Sequence, residues 1–383
     1  MTTNTSGRLM SLDTLRGFDM LFIMGFSTLV VNICALFPGG DACWLSRTMH
    51  HVAWNGLSHH DTIFPLFLFI AGISWPFSYA KQCEAGKSKK DIYKKIFRRA
   101  LMLVFLGMVY NGLFQLKWID VSDGFRFDFS QLRFASVLGR IGVAWMLASI
   151  LFINFKPVTL AAISGLVLVG YWLLLAFVPA PDVVNADALS MDGNIVGYVD
   201  RLLLPGKLVS NHGQFDPEGI LSTFPAVVTA LLGMFTGAFV RSASPEMTGG
   251  RKAVYMFIAA LLMLGLGLLW SIVFPINKML WTSSFVLVVG AYSLAMFALF
   301  YYIIDVRKHT RWTLFFRVIG LNSITIYLLQ MIIPMGKAGE FFLGGVQSLL
   351  PEAWGNVVYY IGYVAVSWLI LYFLYKHKVF LKI

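Results

Sequence analysis

The chain has 383 residues, of which 58% are hydrophobic and 13% charged, with a mean hydropathy of +0.73 and a formal net charge of +11. Soluble proteins average about 25% charged residues; here the deficit runs along the whole chain, which excludes a soluble domain and specifies a polytopic membrane protein. The positive charge would suggest nucleic acid in a soluble protein, but here its distribution reports topology, and no nucleic-acid partner is expected.

The polar amino-terminal segment has no small-residue cleavage site after a short apolar core, so the first helix reads as a retained anchor. Ten stretches are long and apolar enough to span a membrane, approximately 17–37, 62–80, 99–116, 132–154, 157–178, 220–240, 253–273, 281–303, 313–335 and 355–375. The expected fold is all-α: one domain over residues 1–383, a bundle of about ten transmembrane helices. With the N-terminus cytoplasmic, 21 of the 30 basic residues fall on the cytoplasmic side and eight on the other, which predicts that both termini are cytoplasmic. Loops 38–61, 117–131, 179–219 and 274–280 then share the opposite face. The basic run Lys87–Arg99 reads as an anchor on anionic membrane lipids, with a docking surface for a polyphosphate as the functional alternative. Cys34, Cys43 and Cys83 show neither metal-ligand spacing nor a disulfide framework. No internal repeat and no pair of broken helices is visible, which weighs against a transporter.

Along the chain, Asp13, Arg16 and Asp19 share one face of the first helix, either as a structural ion-pair clamp or lining a cavity. Four of the seven histidines, His50, His51, His59 and His60, fall within the stretch before the second span, followed at once by Asp61. Trp54-Asn55-Gly56-Leu57 lies between them; an interfacial belt accounts for the Trp, but four histidines and an acid exceed what a belt requires. Imidazole suits proton exchange or attack on a carbonyl near neutral pH, and no further ligand set supports zinc, so no metal is expected. Arg140 sits inside the fourth expected span, where insertion costs about 3 kcal/mol without a carboxylate, a carbonyl or a bound anion to compensate. Asp216-Pro217-Glu218-Gly219 has the composition of a helix start, with acceptor binding as the alternative role of its acids. Asn277-Lys278 with Trp281 forms a polar entry to the eighth span, and Gly320-Leu321-Asn322-Ser323 marks the ninth.

Together these residues resemble the polytopic transmembrane acyltransferases that include heparan-alpha-glucosaminide N-acetyltransferase and its bacterial relatives. The resemblance rests on Ser11-Leu12-Asp13-Thr14-Leu15-Arg16-Gly17, His51 with Trp54-Asn55-Gly56-Leu57, Asp61, Phe64-Pro65, Val137-Leu138 with Arg140-Ile141, Asp216-Pro217-Glu218-Gly219, Asn277-Lys278 with Leu280-Trp281, and Gly320 with Asn322-Ser323. It implies transfer of an acetyl group from cytoplasmic acetyl-CoA, used as a substrate, to an amino sugar or related glycan on the far side of the membrane. His51, three residues before Trp54, takes the place of the family's catalytic histidine, as base or as nucleophile. Asn55, Asp61, Asp216 and Glu218 are expected to assist the chemistry, Trp54, Arg140, Asn277, Lys278 and Trp281 to bind the acceptor, and Arg16, Ser27 and Arg133 to contact acetyl-CoA. One departure stands out: the animal enzyme carries an assisting asparagine late in its first helix, where this chain has Ser27, so Asn55 and Asn277 become the candidate oxyanion donors.

The absence of the large extracytoplasmic domain and sorting tail of the lysosomal enzyme points to a multi-pass protein of a bacterial inner membrane, with a homodimer allowed. The rival reading is a transporter of anionic or amphipathic solutes that uses the histidines for proton coupling. A non-catalytic envelope scaffold is a third, and it would tolerate loss of His51.

Overall fold

The computed structural model describes residues 9–113, 118–121, 124–210, 213–243 and 246–381. Inside a membrane each backbone polar group has to be satisfied within its own segment, and the apolar runs accordingly fold as helices. In chain order these are α1 (Met10–Ala35), α2 (Trp44–Thr48), α3 (His59–Glu84), α4 (Lys89–Tyr110), α5 (Val137–Asn154), α6 (Pro157–Phe177), α7 (Ile195–Leu203), α8 (Thr223–Arg241), α9 (Gly249–Ser271), α10 (Ser283–Val306), α11 (Thr313–Leu321), α12 (Ser323–Ile332), α13 (Met335–Ser348) and α14 (Glu352–Lys376). Between α4 and α5 a small antiparallel hairpin pairs β1 (Trp118–Val121) with β2 (Gly124–Phe127).

Each of the ten expected spans falls on a helix, and among the described residues eight helices are long and apolar enough to cross a membrane: α1, α3, α5, α6, α8, α9, α10 and α14. The other two differ for physical reasons. The basic run fills the first half of α4, so only its second half is apolar; residues 114–116 of that expected span lie outside the described residues, as do Arg8, Lys117 and Lys382. The ninth expected span is bent by 67° between α11 and α12. Asn322 stands at the break with φ −124° and ψ 26°, a residue whose side chain competes with helical hydrogen bonds.

The core is built around α3, 72% of whose apolar window is buried, against 22% for α9 and α14, whose exposed leucines and phenylalanines face outward. Two crossings set the backbone geometry. A Cβ on Gly72 of α3 would stand 2.2 Å from the Ala230 carbonyl oxygen, and one on Gly233 of α8 would stand 2.1 Å from that of Phe69, so only glycine permits this approach. Likewise a Cβ on Gly320 of α11 would stand 1.9 Å from the Asp13 carbonyl oxygen. The same crossing brings Gly17, next to Arg16, against Phe316, next to Arg317: a Cβ on Gly17 would stand 1.7 Å from the Phe316 carbonyl oxygen. One turn further on, α1 widens into a π-turn over Phe22–Phe26, with Gly25 at φ +100°.

The helices alternate in direction, which brings segments 36–58, 128–136, 178–210 and 272–282 to one face. Their contacts agree: the Gly56 N–H donates to the Ile276 carbonyl at 2.8 Å, and Trp54 Nε1 donates to that of Leu189 at 3.0 Å. At the other face Asp305 accepts the backbone N–H groups of Met10 and Ser11, both at 3.2 Å, anchoring the start of α1.

Candidate active site

The amino terminus of α3 organises the site. Ser58 and Asp61 form a reciprocal capping box, in which Asp61 Oδ2 accepts the Ser58 N–H at 3.1 Å and its hydroxyl at 2.9 Å. The same oxygen accepts the Val52 N–H at 3.2 Å, which folds the preceding loop back over the helix start. Asp61 Oδ1 is thereby aimed at His51, whose Nδ1 lies 2.7 Å away. A carboxylate only accepts, so Nδ1 carries the proton and Nε2 is left as the basic nitrogen. Lys278, on the loop between α9 and α10, donates from its Nζ to Asp61 Oδ1 at 3.3 Å; its Nζ also lies 3.0 Å from His51 Nδ1, a close contact and not a hydrogen bond once the Nδ1 proton is given to Asp61. Burial depresses the Lys278 ammonium, and the Asp61 charge opposes that shift. His60 packs edge-on against His51, with ring centroids 4.5 Å apart, and its Nδ1 lies 3.2 Å from Ser27 Oγ. Ser27 therefore meets the cluster through His60 rather than through His51.

Several other candidates brace this loop pair. Asn277 Nδ2 donates to Asn55 Oδ1 at 3.1 Å, and Asn277 Oδ1 accepts the Leu280 N–H at 2.9 Å. Trp281 is buried at φ +53°, with its indole N–H 3.3 Å from Thr229 Oγ1. Arg140 lies in the first turn of α5, not deep in a span, because the helix begins at Val137. Its Nη2 donates to the Gly219 carbonyl at 3.2 Å and to the Ser222 hydroxyl, and its guanidinium lies 5.1 Å from the Trp281 ring centroid.

Asp216 and Glu218 do not start a helix. The next helix, α8, begins at Thr223, and 216–220 is a turn. Its acids converge on Arg133: Nε donates to Asp216 Oδ2 at 2.7 Å, and Nη2 to Asp216 Oδ1 at 2.6 Å and to Glu218 Oε2. Burial alone would lower the Arg133 guanidinium, but its hydrogen bonds to Asp216 and the charge of Glu218 outweigh that and hold it above its ordinary range.

These groups open onto a cavity of about 760 Å³, within the size range of small-molecule sites. His51, His60, Lys278, Arg133 and Glu218 line one end; Ile63, Phe64, Phe67, Leu103 and Ile141 wall the middle. The other end is lined by Arg16, Arg99, Arg317, Phe380 and Leu381, toward the face where α1 starts and α14 finishes. Arg16 Nη1 lies 3.7 Å from Asp13 Oδ1, and the Arg99 guanidinium lies 4.2 Å from the Trp145 ring centroid. The Nε atoms of Arg99 and Arg317 are buried without a hydrogen-bond partner among the described residues. Arg99 and Arg317 stand out only in the fold; in the sequence they belong to runs that topology alone explains. Of the expected site residues, His51, Lys278, Glu218, Arg133 and Arg16 line the cavity, while Trp54, Asn55, Asp61, Arg140, Asp216, Asn277, Trp281 and Ser27 stand behind those that do. Among the described residues no group of three metal-ligating side chains could hold an ion.

The chain is 28% identical, over an alignment of 437 residues, to heparan-alpha-glucosaminide N-acetyltransferase of Mus musculus, covering 99% of this chain and 61% of that protein. To the protein of the same name from Homo sapiens it is 28% identical over 435 residues, covering 98% and 60%. The chain thus spans about three fifths of the length of these relatives. No protein-family model matches it. The similarity runs through nearly the whole chain and supports the family that the motifs resemble.

Proposed function

We propose, from a membrane-embedded chain similar to N-acetyltransferases over nearly its full length, that the protein transfers an acetyl group across the membrane from acetyl-CoA to the amine of a glycan acceptor. The observation that carries this reading is the placement of the His51–Asp61–Lys278 cluster at one end of a cavity whose other end is lined by three arginines. The arginine-lined end is cytoplasmic, as are both termini. A hydrocarbon core of about 30 Å separates the two aqueous faces, so an extended pantetheine arm has to bridge part of it. The apolar middle of the cavity suits that arm, and Arg16, Arg99 and Arg317 suit the phosphates.

At the opposite end His51 Nε2 takes a proton from the acceptor amine as its nitrogen attacks the thioester carbonyl. The resulting imidazolium is stabilised by the Nδ1–H bond to Asp61. Collapse of the tetrahedral intermediate breaks the C–S bond, and Nε2 returns the proton to the departing sulfur, giving amide and free CoA. Lys278 lines the cavity beside the ring and serves as the donor for the developing oxyanion; Asn277 already spends its amide on Asn55. Glu218 faces the acceptor, with Asp216 and Arg133 fixing it. The transfer is direct: only Nε2 is available, and it serves as base. Acetyl-CoA is consumed as a substrate, and no metal takes part in this scheme.

Purified protein supplied with acetyl-CoA and glucosamine should release CoA thiol and form N-acetylglucosamine together, and acetyl-CoA alone should give no burst of CoA. Movement of an unmodified solute without CoA binding would replace this reading with the transporter.

A further inference from the structure

We infer that Asp200, which lies behind the cavity, is a positioning residue: its carboxylate pins the 216–220 turn and so fixes both Arg133 and Arg140 at the acceptor end. The inference rests on the proposed acyl transfer for its kinetic consequence, but not for its structural one.

Asp200 is on α7, a helix of nine residues whose start is fixed by Asn194, which accepts the Gly197 N–H at 2.8 Å. Its side chain is fully buried. Oδ2 accepts the Asp216 N–H at 3.3 Å and Oδ1 accepts the Ile220 N–H at 3.0 Å, so one carboxylate clamps both ends of the turn. The fit leaves no room for a side chain in between: a Cβ on Gly219 would stand 2.1 Å from Asp200 Oδ2. Everything the turn presents on its other side belongs to the site. Asp216 and Glu218 hold Arg133, while the Gly219 carbonyl and the Ser222 hydroxyl hold Arg140. A buried carboxylate spent wholly on backbone N–H groups of one turn is an expensive arrangement, justified where the turn has to keep one shape.

The clamp also depends on ionisation. Burial raises the Asp200 carboxyl from 3.8 to about 6, against the two backbone hydrogen bonds that lower it. The charged or titratable groups facing it are Asp216 from the turn, Arg140 from α5 and Tyr171 from α6. Because the folded value is raised, acidification through about 6 favours the folded state over the unfolded one as far as this group is concerned. Protonation turns one of its two acceptor oxygens into a hydroxyl. The turn therefore loosens on acidification without any loss of global stability from this group.

The test uses the full chain in detergent, with acetyl-CoA and glucosamine as probes and two variants, Asp200→Asn and Gly219→Ala, the second of which displaces the turn while keeping the carboxylate. Amide hydrogen exchange over 216–220 should speed up by about tenfold in both variants, while exchange within α8 is unchanged. The KM for glucosamine should rise by about tenfold with the KM for acetyl-CoA unchanged, and the rise in the wild-type glucosamine KM on acidification through about pH 6 should vanish in Asp200→Asn. Unchanged exchange in both variants would overturn the clamp, and unchanged acceptor KM with an unchanged pH profile would overturn its role. If wild-type protein transfers no acetyl group, the proposed function falls, while the exchange measurement still decides the clamp.

Discussion

Replacing Asp61 by Asn removes one charge and turns one of two acceptor oxygens into a donor. Both positions are occupied: Oδ1 meets His51 Nδ1 at 2.7 Å and Lys278 at 3.3 Å, and Oδ2 meets Val52 N–H, Ser58 N–H and the Ser58 hydroxyl. An amide nitrogen at the Oδ2 position would face three donors and undo the cap of α3. The nitrogen therefore goes to the Oδ1 position, where it sacrifices the charge-assisted bond from Lys278, worth about 1.5–3 kcal/mol. There it donates to His51 Nδ1, which moves the ring proton to Nε2 and removes the base. The expected outcome for Asp61→Asn is retained folding with a melting temperature lowered by a few degrees. The turnover number should fall by about 10² to 10⁴, equivalent to about 3–5 kcal/mol of transition-state stabilisation. Steady-state acetyl transfer from acetyl-CoA to glucosamine measures the effect, with CoA affinity as the control. A folded Asp61→Asn protein with wild-type turnover would refute the tautomer argument.

Three further expectations follow from the same geometry. Arg317→Gln and Arg99→Gln should each weaken CoA by about tenfold and leave pantetheine, which lacks the nucleotide phosphates, unchanged; equal losses for both ligands would remove the phosphates from that end. Cys83 is exposed at the end of α3 and should react with an impermeant thiol reagent in inverted vesicles but not in intact cells, on a Cys43→Ser background; the reverse pattern would invert the topology. Gly320→Ala drives a Cβ to 1.9 Å from the Asp13 carbonyl and should cost about 1–3 kcal/mol of stability, read by thermal unfolding. A Gly320→Ala protein as stable as wild type would mean that α1 and α11 can separate freely.

Much of the fold is legible in the sequence because a membrane span declares itself by length and apolarity, and each expected span has its helix. The exceptions have local causes. The half of α4 that carries Lys89–Arg99 is helical but basic, and at Asn322 the backbone leaves the helical region, which bends the ninth expected span by 67°. In the site, His51 and Asp61 are close enough in the chain to be read as one motif. The approach of Lys278 to that pair, and the convergence of Asp216 and Glu218 on Arg133, are tertiary and leave no local signal. Asp216-Pro217 has the chemistry of a helix start, yet Asp200 captures two N–H groups of the segment and holds it as a turn. Arg99 and Arg317 read as topology signals because a basic residue near a cytoplasmic boundary has that explanation ready, and only the cavity gives them another.

The central claim is that His51 moves the proton in acyl transfer, with His50, His59 and His60 subordinate. Purified His51→Ala should be compared with His50→Ala for thermal stability, CoA affinity and transfer of acetyl from acetyl-CoA to a panel of amino sugars that the parent protein acetylates. The expected result is a His51→Ala protein that folds and binds CoA normally but turns over about 10² to 10⁴ times more slowly, beside a His50→Ala protein that works. Wild-type turnover by His51→Ala would contradict the account.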